Sequence, residues 1–534
     1  MLTKRLTNWC EDNSVIEESQ AGFRSQYSTI DNIFTLNGII QKYLSKRKGR
    51  CYVFYIDFLK AFDGCIHKKL WSCLSRHGVQ GKFLCIFDSM YRQLKSCVKV
   101  EGGLTDFFQC NIGTRQGCVS SPILFSLFIN DLVTYLRTKC GTGIHINNDS
   151  DDIHALMFAD DVSSVADTVL NLQRQINYID DFCKDTGMNL NLDKSKIIVF
   201  RNGGPLRTYE RWTFRGNIVE VVPYYKYLGA FFTSTLSWNK TKETLSQQAS
   251  KAVVNILKYQ KQFGYFFANE ALILFDSIVV PILCYSADVW GYQYTECIER
   301  VQSNFCKRVC CLNKHVPNFT ALYECGRQPL SVIYMTRCVK YWIKLTTMSS
   351  HRYPKQTYNM LRSLDESGRI TWATHIKQLL FQFGFGYAWL ANEVGDTIAF
   401  TKLFKIRVVD CAIQNLNEKV NKSSKTLYYR HFKTFLDVER YLSIDLPYLY
   451  KRALSNFRCS GHSLNIETGR HQNIDRELRH CNYCLKSNIY SIEDELHMLL
   501  LCPLYSNLRT EFFQQRWLCR HICNQLFYDI MSFI

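Results

Sequence analysis

Apolar and polar positions along this chain follow two different periods. Between Ser28 and Ser45, Ile30, Ile33, Phe34, Ile40 and Leu44 recur at helical spacing, and Ser28, Thr29 and Asp31 suit a helix start. A basic run (Lys42, Lys46, Arg47, Lys48, Arg50) then leads into Cys51-Tyr-Val-Phe-Tyr-Ile56. That continuous apolar run is typical of a strand buried on both faces, and it stops at Asp57. Ser121-Pro122 opens a second helix, with proline at its first position and Leu124, Leu127, Phe128, Leu132 and Tyr135 on one face. Ala155 to Phe158 and Val162 to Val165, separated by Ala159-Asp160-Asp161, read as a hairpin. A third helix carries Leu172, Ile176, Ile179 and Cys183 and stops at Gly187, and Ile197 to Phe200 is a further strand. The order strand, helices, hairpin, helix, strand predicts a split βαβ layout: an antiparallel sheet with helices packed on one face. From about residue 240 onward the pattern is helical and aromatic-rich, and no fixed-period repeat is present.

Composition narrows the class. The 534 residues are 47% hydrophobic and 14% aromatic, enough for large cores and about three or four structural units. With 9 prolines and 26 glycines, collagen-like or linker-like architecture is excluded. The longest apolar candidate for a membrane helix, Ala271 to Tyr285, is broken by Asp276 and Pro281, and the first residues lack a signal-peptide core. These features predict a soluble, intracellular protein without a membrane partner. A net charge of +18 points to a polyanionic partner, because each phosphate contact releases counterions. Most of the 24 cysteines lie in apolar runs and read as small buried hydrophobes; one cluster differs.

Two constellations carry chemistry. Asp160-Asp161 is pressed by Leu156-Met-Phe158 on one side and Val162 on the other, and like charges in apolar surroundings require a compensating cation. Asp57, at the end of a separate buried strand, offers a third carboxylate. Three such groups at a sheet edge can hold two Mg²⁺ ions for an in-line phosphoryl displacement. Asp151-Asp152 and Asp180-Asp181, in polar surroundings, read as solvated faces or helix caps. The second constellation, Cys481-x2-Cys484-x12-His497-x4-Cys502, supplies three thiolates and one imidazole, a closed tetrahedral set for structural Zn²⁺. His480, Cys519, His521 and Cys523 lie nearby and are less preferred as ligands.

Several segments resemble the motifs of non-LTR (LINE-type) retrotransposon reverse transcriptases. Tyr55-Ile-Asp57-Phe-Leu-Lys-Ala61-Phe62-Asp63 resembles motif A, Gly113-Thr-Arg-Gln116-Gly117-Cys-Val-Ser-Ser-Pro122 motif B, and Phe158-Ala-Asp-Asp161 motif C. Asn191-Leu-Asp-Lys194-Ser-Lys196 is similar to motif D, Tyr227-Leu-Gly229 to motif E, and Gln20-Ala-Gly22-Phe23-Arg24 to a fingers segment. Pro281-Ile-Leu-Cys-Tyr285, Trp290-Gly291, Gly326-Arg327 with Pro329-Leu330, and Ile466-Glu-Thr-Gly-Arg470 with the Cys/His set resemble the later regions of these proteins.

The resemblance implies an α+β right-hand polymerase: a palm on a split βαβ sheet with partial fingers over residues 1–235, a helical thumb over 236–335, a helical connecting region over 336–465 and a zinc knuckle within 466–534. It implies an RNA-directed DNA polymerase that extends a DNA primer on an RNA template with dNTPs, working in nucleus and cytoplasm. Asp57, Asp160 and Asp161 become the Mg²⁺-binding catalytic carboxylates. Phe62 becomes the steric gate against the 2′-OH, a role compatible with an ordinary core phenylalanine. Gln116 and Gly117 contact nucleotide and template. Arg24 contacts the triphosphate or forms a structural salt bridge, and Lys194 or Lys196 protonates the leaving pyrophosphate. Cys481, Cys484, His497 and Cys502 hold zinc in a basic tail that grips template RNA or target DNA. The family's earlier fingers motifs and nuclease domains are not found, which reads as a truncated element. Two functions follow: the polymerase, or a catalytically silent nucleic-acid-binding remnant.

Overall fold

Every position from Cys51 to Ile56 is buried, so this strand needs cover on both faces, and the structure supplies it. The computed structural model describes residues 1–115, 117–141, 143–146, 152–263, 267–512, 528, 530 and 531. Two units are distinguished. Met1–Thr241, Asp288–Tyr292 and Cys338–Val394 make the first; Lys242–Ala287, Gln293–Arg337 and Gly395–Ile534 make the second.

The first unit is built on a four-stranded sheet. Its spatial order is Ala155–Phe158, Asp161–Ala166, Arg50–Ile56, Lys196–Arg201, with all neighbours antiparallel. One face, with Tyr52, Phe54 and Ile56, is packed by Leu124 and Phe128 of the Ser121–Cys140 helix and by Ile176 and Ile179 of the Val169–Thr186 helix. Pro122 opens the first of these helices. The second is capped by Thr168, whose hydroxyl accepts from the Asn171 N–H at 3.2 Å, and stops at Gly187, which adopts φ +78°.

Helix cover on one face alone was the expectation; the Thr29–Leu44 helix instead packs over the other face, against Arg50–Ile56, Ala155–Phe158 and Lys196–Arg201. Its start is a capping box formed by Ser28 and Asp31. That helix is itself buried, for a reason the sequence pattern does not disclose: residues 338–394 fold onto it. Phe34 meets the rings of Tyr341 and Trp372 edge-on at 5.2 and 4.8 Å. Asp31, 1% exposed, accepts from the Tyr341 hydroxyl at 3.0 Å and the Lys344 ammonium at 2.9 Å. Gly38 allows the close approach, since a Cβ there would lie 2.2 Å from Thr357 Cγ2.

The second unit is helical, with Glu296–Val309, Asn318–Glu324, Thr397–Lys422 and Tyr448–Arg458 among its members. Its interior holds a paired charge: Arg458 reaches Glu324 at 3.3 Å and Glu439 at 2.8 Å, and the hydroxyls of Tyr429 and Tyr441 also donate to Glu324. With each carboxylate oxygen bonded, the buried charge is tolerated. Among the described residues, no helix is long and apolar enough to cross a membrane.

Candidate active site

Strand register brings the first constellation together. Ile56 pairs with Val162, so Asp57, one residue on, stands opposite Asp161. Phe158 pairs with Asp161 across a two-residue turn of Ala159 and Asp160, with Ala159 in the left-handed region at φ +57°. The backbone of Asp57 is fixed from the segment before the last strand. Its N–H donates to Ser195 Oγ at 3.0 Å, and its carbonyl accepts from the Asn191 N–H at 2.8 Å. Burial, and then the charge of Asp57, raises Asp160 above the ordinary carboxyl range. Asp161, although solvent-accessible, is pushed up to about 6 by lost hydration and then by Asp160 and Asp57. Tyr225, stacked on Tyr55 at 4.5 Å, borders the same charges: burial, then Asp161 and Asp57, pushes its phenol up to about 12. Unlike the second constellation, the three carboxylates do not bring all their nearest oxygens within 4.8 Å of one another.

The other expected residues are distributed unevenly around this cluster. Phe62 is half-buried and stacks on Phe125 at 4.3 Å. Its carbonyl accepts from the Thr114 N–H at 2.8 Å, which ties the Gly113–Thr114 segment to the stretch after Asp57. Gly113 has φ +89°, and an added Cβ would lie 2.9 Å from the Asp63 carbonyl, so glycine is required there. Gly117 is exposed at φ +78°; Gln116 lies outside the described residues. The two lysines separate clearly. Lys194 Nζ stands 3.7 Å from Asp57 Oδ2, whereas Lys196 is paired with Glu220 at 2.7 Å. Arg24 is committed elsewhere, in a two-point ion pair with Glu11 at 2.8 and 3.0 Å, with the Glu17 and Gln20 carbonyls on its remaining nitrogen. Of the two roles open for it, the structure supports the salt bridge. The sequence gives no sign of the role of Ser195, which lies between the two candidate lysines within the motif D-like segment.

In the second unit, Cys481, Cys484, His497 and Cys502 are all buried, with ligand atoms within 4.8 Å of one another. Cys502 Sγ lies 3.9 Å from Cys481 Sγ and 4.0 Å from Cys484 Sγ, and Cys484 Sγ lies 3.4 Å from His497 Nε2. A tetrahedron with Zn–S of about 2.3 Å and Zn–N of about 2.0 Å has edges near ~3.8 and ~3.5 Å, so the donor set fits zinc. Asp494 Oδ1 accepts from the His497 N–H at 2.9 Å and braces it. His480 is outside the cluster, its ring against Tyr490, and Cys519, His521 and Cys523 lie outside the described residues. Cys73, His77 and Asp131 form another compact group. There Arg76 and His77 already pair with Asp131 at 2.6 and 2.9 Å, so its charge is satisfied internally.

Residues 1–232 match the family model for reverse transcriptase (RNA-dependent DNA polymerase). The chain carries a reverse transcriptase domain of the non-LTR type. The chain is similar to the retrovirus-related Pol polyprotein from the type-2 retrotransposable element R2DM of Drosophila melanogaster, 28% identical over 226 residues, 40% of this chain and 21% of that protein. The chain is also similar to the RNA-directed DNA polymerase from the mobile element jockey of the same organism, 22% identical over 300 residues, 54% of this chain and 31% of that protein. The chain thus spans between a fifth and a third of the length of these relatives. A distant structural likeness to telomerase from Candida albicans in complex with a TWJ fragment of telomeric RNA has TM-score 0.35 at 10% identity, over 71% of this chain and 57% of that one. Within the reverse transcriptase domain lie all three carboxylates, Phe62, Gly117 and both lysines.

Proposed function

We propose that this reverse transcriptase domain extends a DNA primer on an RNA template, using dNTPs and a pair of Mg²⁺ ions held by Asp57, Asp160 and Asp161. The observation that carries this reading is the strand register, which sets Asp57 beside the Asp160–Asp161 turn. The raised carboxyl affinities for protons support it: crowded like charges, left without a full set of counter-ions, favour a divalent cation. Bound there, Mg²⁺ would activate the primer 3′-hydroxyl and neutralise charge on the phosphate oxygens as the α-phosphorus is displaced in line.

The chain's own residues supply the rest. Ser195 and Asn191 hold the Asp57 backbone still, so the carboxylate is presented without reorganisation. Phe62, five residues after Asp57 and braced by Phe125, would lie against the sugar of the incoming nucleotide and exclude a 2′-hydroxyl. Lys194 is the group poised to give a proton to the departing pyrophosphate, since Lys196 is already spent on Glu220. The Cys/His set holds structural zinc and keeps the C-terminal region folded for contact with template RNA or target DNA. The working compartments on this reading are nucleus and cytoplasm. Phe62→Ala tests the assignment: incorporation of ribonucleotides relative to dNTPs on an RNA template is expected to rise about tenfold or more. Unchanged sugar discrimination in an active variant would remove Phe62 from the site.

A further inference from the structure

The turn that carries Asp160 and Asp161 is fastened from outside the sheet. Residues 19–21 run beside the Ala155–Phe158 edge as a parallel bridge: the Met157 N–H donates to the Ser19 carbonyl at 2.8 Å and the Ala21 N–H to the Met157 carbonyl at 2.9 Å. This lays the fully buried Gln20 side chain against the turn. Its Oε1 accepts from the Ala159 N–H at 3.0 Å and from the Gly22 N–H at 2.9 Å, while its Nε2 donates to the Ala159 carbonyl at 3.3 Å. One amide thus holds both backbone groups of Ala159, the residue in the left-handed conformation immediately before Asp160. The approach is so close that a Cβ on Gly22 would lie 2.2 Å from the Ala159 nitrogen. Both the acceptor and the donor of the amide are needed, because losing either leaves a buried backbone group unpaired.

We propose that Gln20 is a positioning residue for nucleotidyl transfer: by clamping Ala159 it sets where the Asp160 and Asp161 carboxylates stand for the divalent cation. This rests on the polymerase reading and extends it to a residue remote from the motif that carries the carboxylates. Methionine has nearly the volume of glutamine but makes none of the three hydrogen bonds, so Gln20→Met keeps the packing and removes the clamp.

The test uses the full chain in two readouts. Mn²⁺ binding is followed by the paramagnetic resonance signal of free Mn²⁺, without nucleotide, and the Mg²⁺ dependence of primer extension is measured separately, with Asp160→Asn as control. Gln20→Met is expected to retain the wild-type circular dichroism spectrum, to bind Mn²⁺ about tenfold more weakly, and to need about tenfold more Mg²⁺ for half-maximal extension, with the KM for dNTP little changed. Wild-type values in both readouts would overturn the proposal and leave Gln20 a space-filling residue. If Gln20→Met misfolds, Gln20→Asn, one methylene too short to hold both groups of Ala159, is read by the same criteria. Wild-type chain whose Mn²⁺ binding is indifferent to Asp160→Asn would sink the polymerase reading itself, and the clamp with it.

Discussion

Asp160→Asn is expected to lower primer extension by about a thousandfold or more, and at the same time to make the metal-free protein more stable at pH 8. The first effect follows from the proposed cation pair, which would lose one of its three carboxylates. The second follows from linkage. Asp161 is pushed up to about 6, and Asp160 is also raised. A carboxyl that holds its proton more tightly when folded costs no stability below its unfolded value, near pH 4. The cost grows as the pH rises from about 4 to about 6, and is fully present above that. Neutralising Asp160 removes the nearest charge from Asp161, so the gain in melting temperature in chelator is expected at pH 8 and should fade toward pH 4. Mg²⁺ should shrink the gain at pH 8, because the wild type then has its own compensating charge. A variant less stable than wild type at pH 8 would mean that the carboxylates are not in repulsion. Loss of activity with gain of stability is the pattern expected of a site whose charges are assembled for function.

Disrupting the Cys/His cluster is the change with the largest expected effect on folding. Structural zinc in small domains contributes about 10–16 kcal/mol of apparent binding energy at neutral pH. Among the described residues, the apolar packing around Cys481, Cys484 and Cys502 is reduced to Tyr505, which offers little to replace it. Cys484→Ser, or a strong chelator, is expected to reduce bound zinc from about one per chain to a small fraction and to expose residues 465–505 to limited proteolysis. Affinity should fall as the pH is lowered, because burial and the neighbouring thiols push Cys484 up to about 12 and zinc must displace its proton. Natively purified chain without zinc, whose cleavage pattern is unmoved by chelator, would contradict the assignment.

The site was legible where chemistry interrupts a strong apolar pattern. Asp57 follows a run buried from Cys51 to Ile56, and Asp160–Asp161 interrupt two apolar segments, so the sequence puts each where a strand ends or a hairpin turns; the register then sets Asp57 opposite Asp161. The zinc-type spacing was legible for the same reason, since four ligand-type residues recur within one short stretch. What stayed hidden depends on partners distant in sequence. That Lys194 rather than Lys196 faces Asp57 is decided by Glu220, which captures Lys196 from just beyond the Asn217–Val219 strand. Arg24 reads equally well as a phosphate contact until Glu11 is seen beneath it. The second face of the sheet is closed by Thr29–Leu44, which in turn is covered by residues 338–394, and no local periodicity records that pairing. The short ribbons within Lys95–Gln109 also escaped, because strands of two residues leave no alternation to read.

If the residues assembled around Asp57 polymerise DNA on RNA, the purified chain copies an RNA template into DNA. The most direct test is extension of a labelled DNA primer on a heteropolymeric RNA template by the purified chain with Mg²⁺ and dNTPs, the product being sequenced. The expected product is DNA complementary to the template, dependent on all four dNTPs and missing when Asp160→Asn is used. A folded, RNA-binding chain that adds no nucleotides, or adds them without regard to the template, would contradict the polymerase reading.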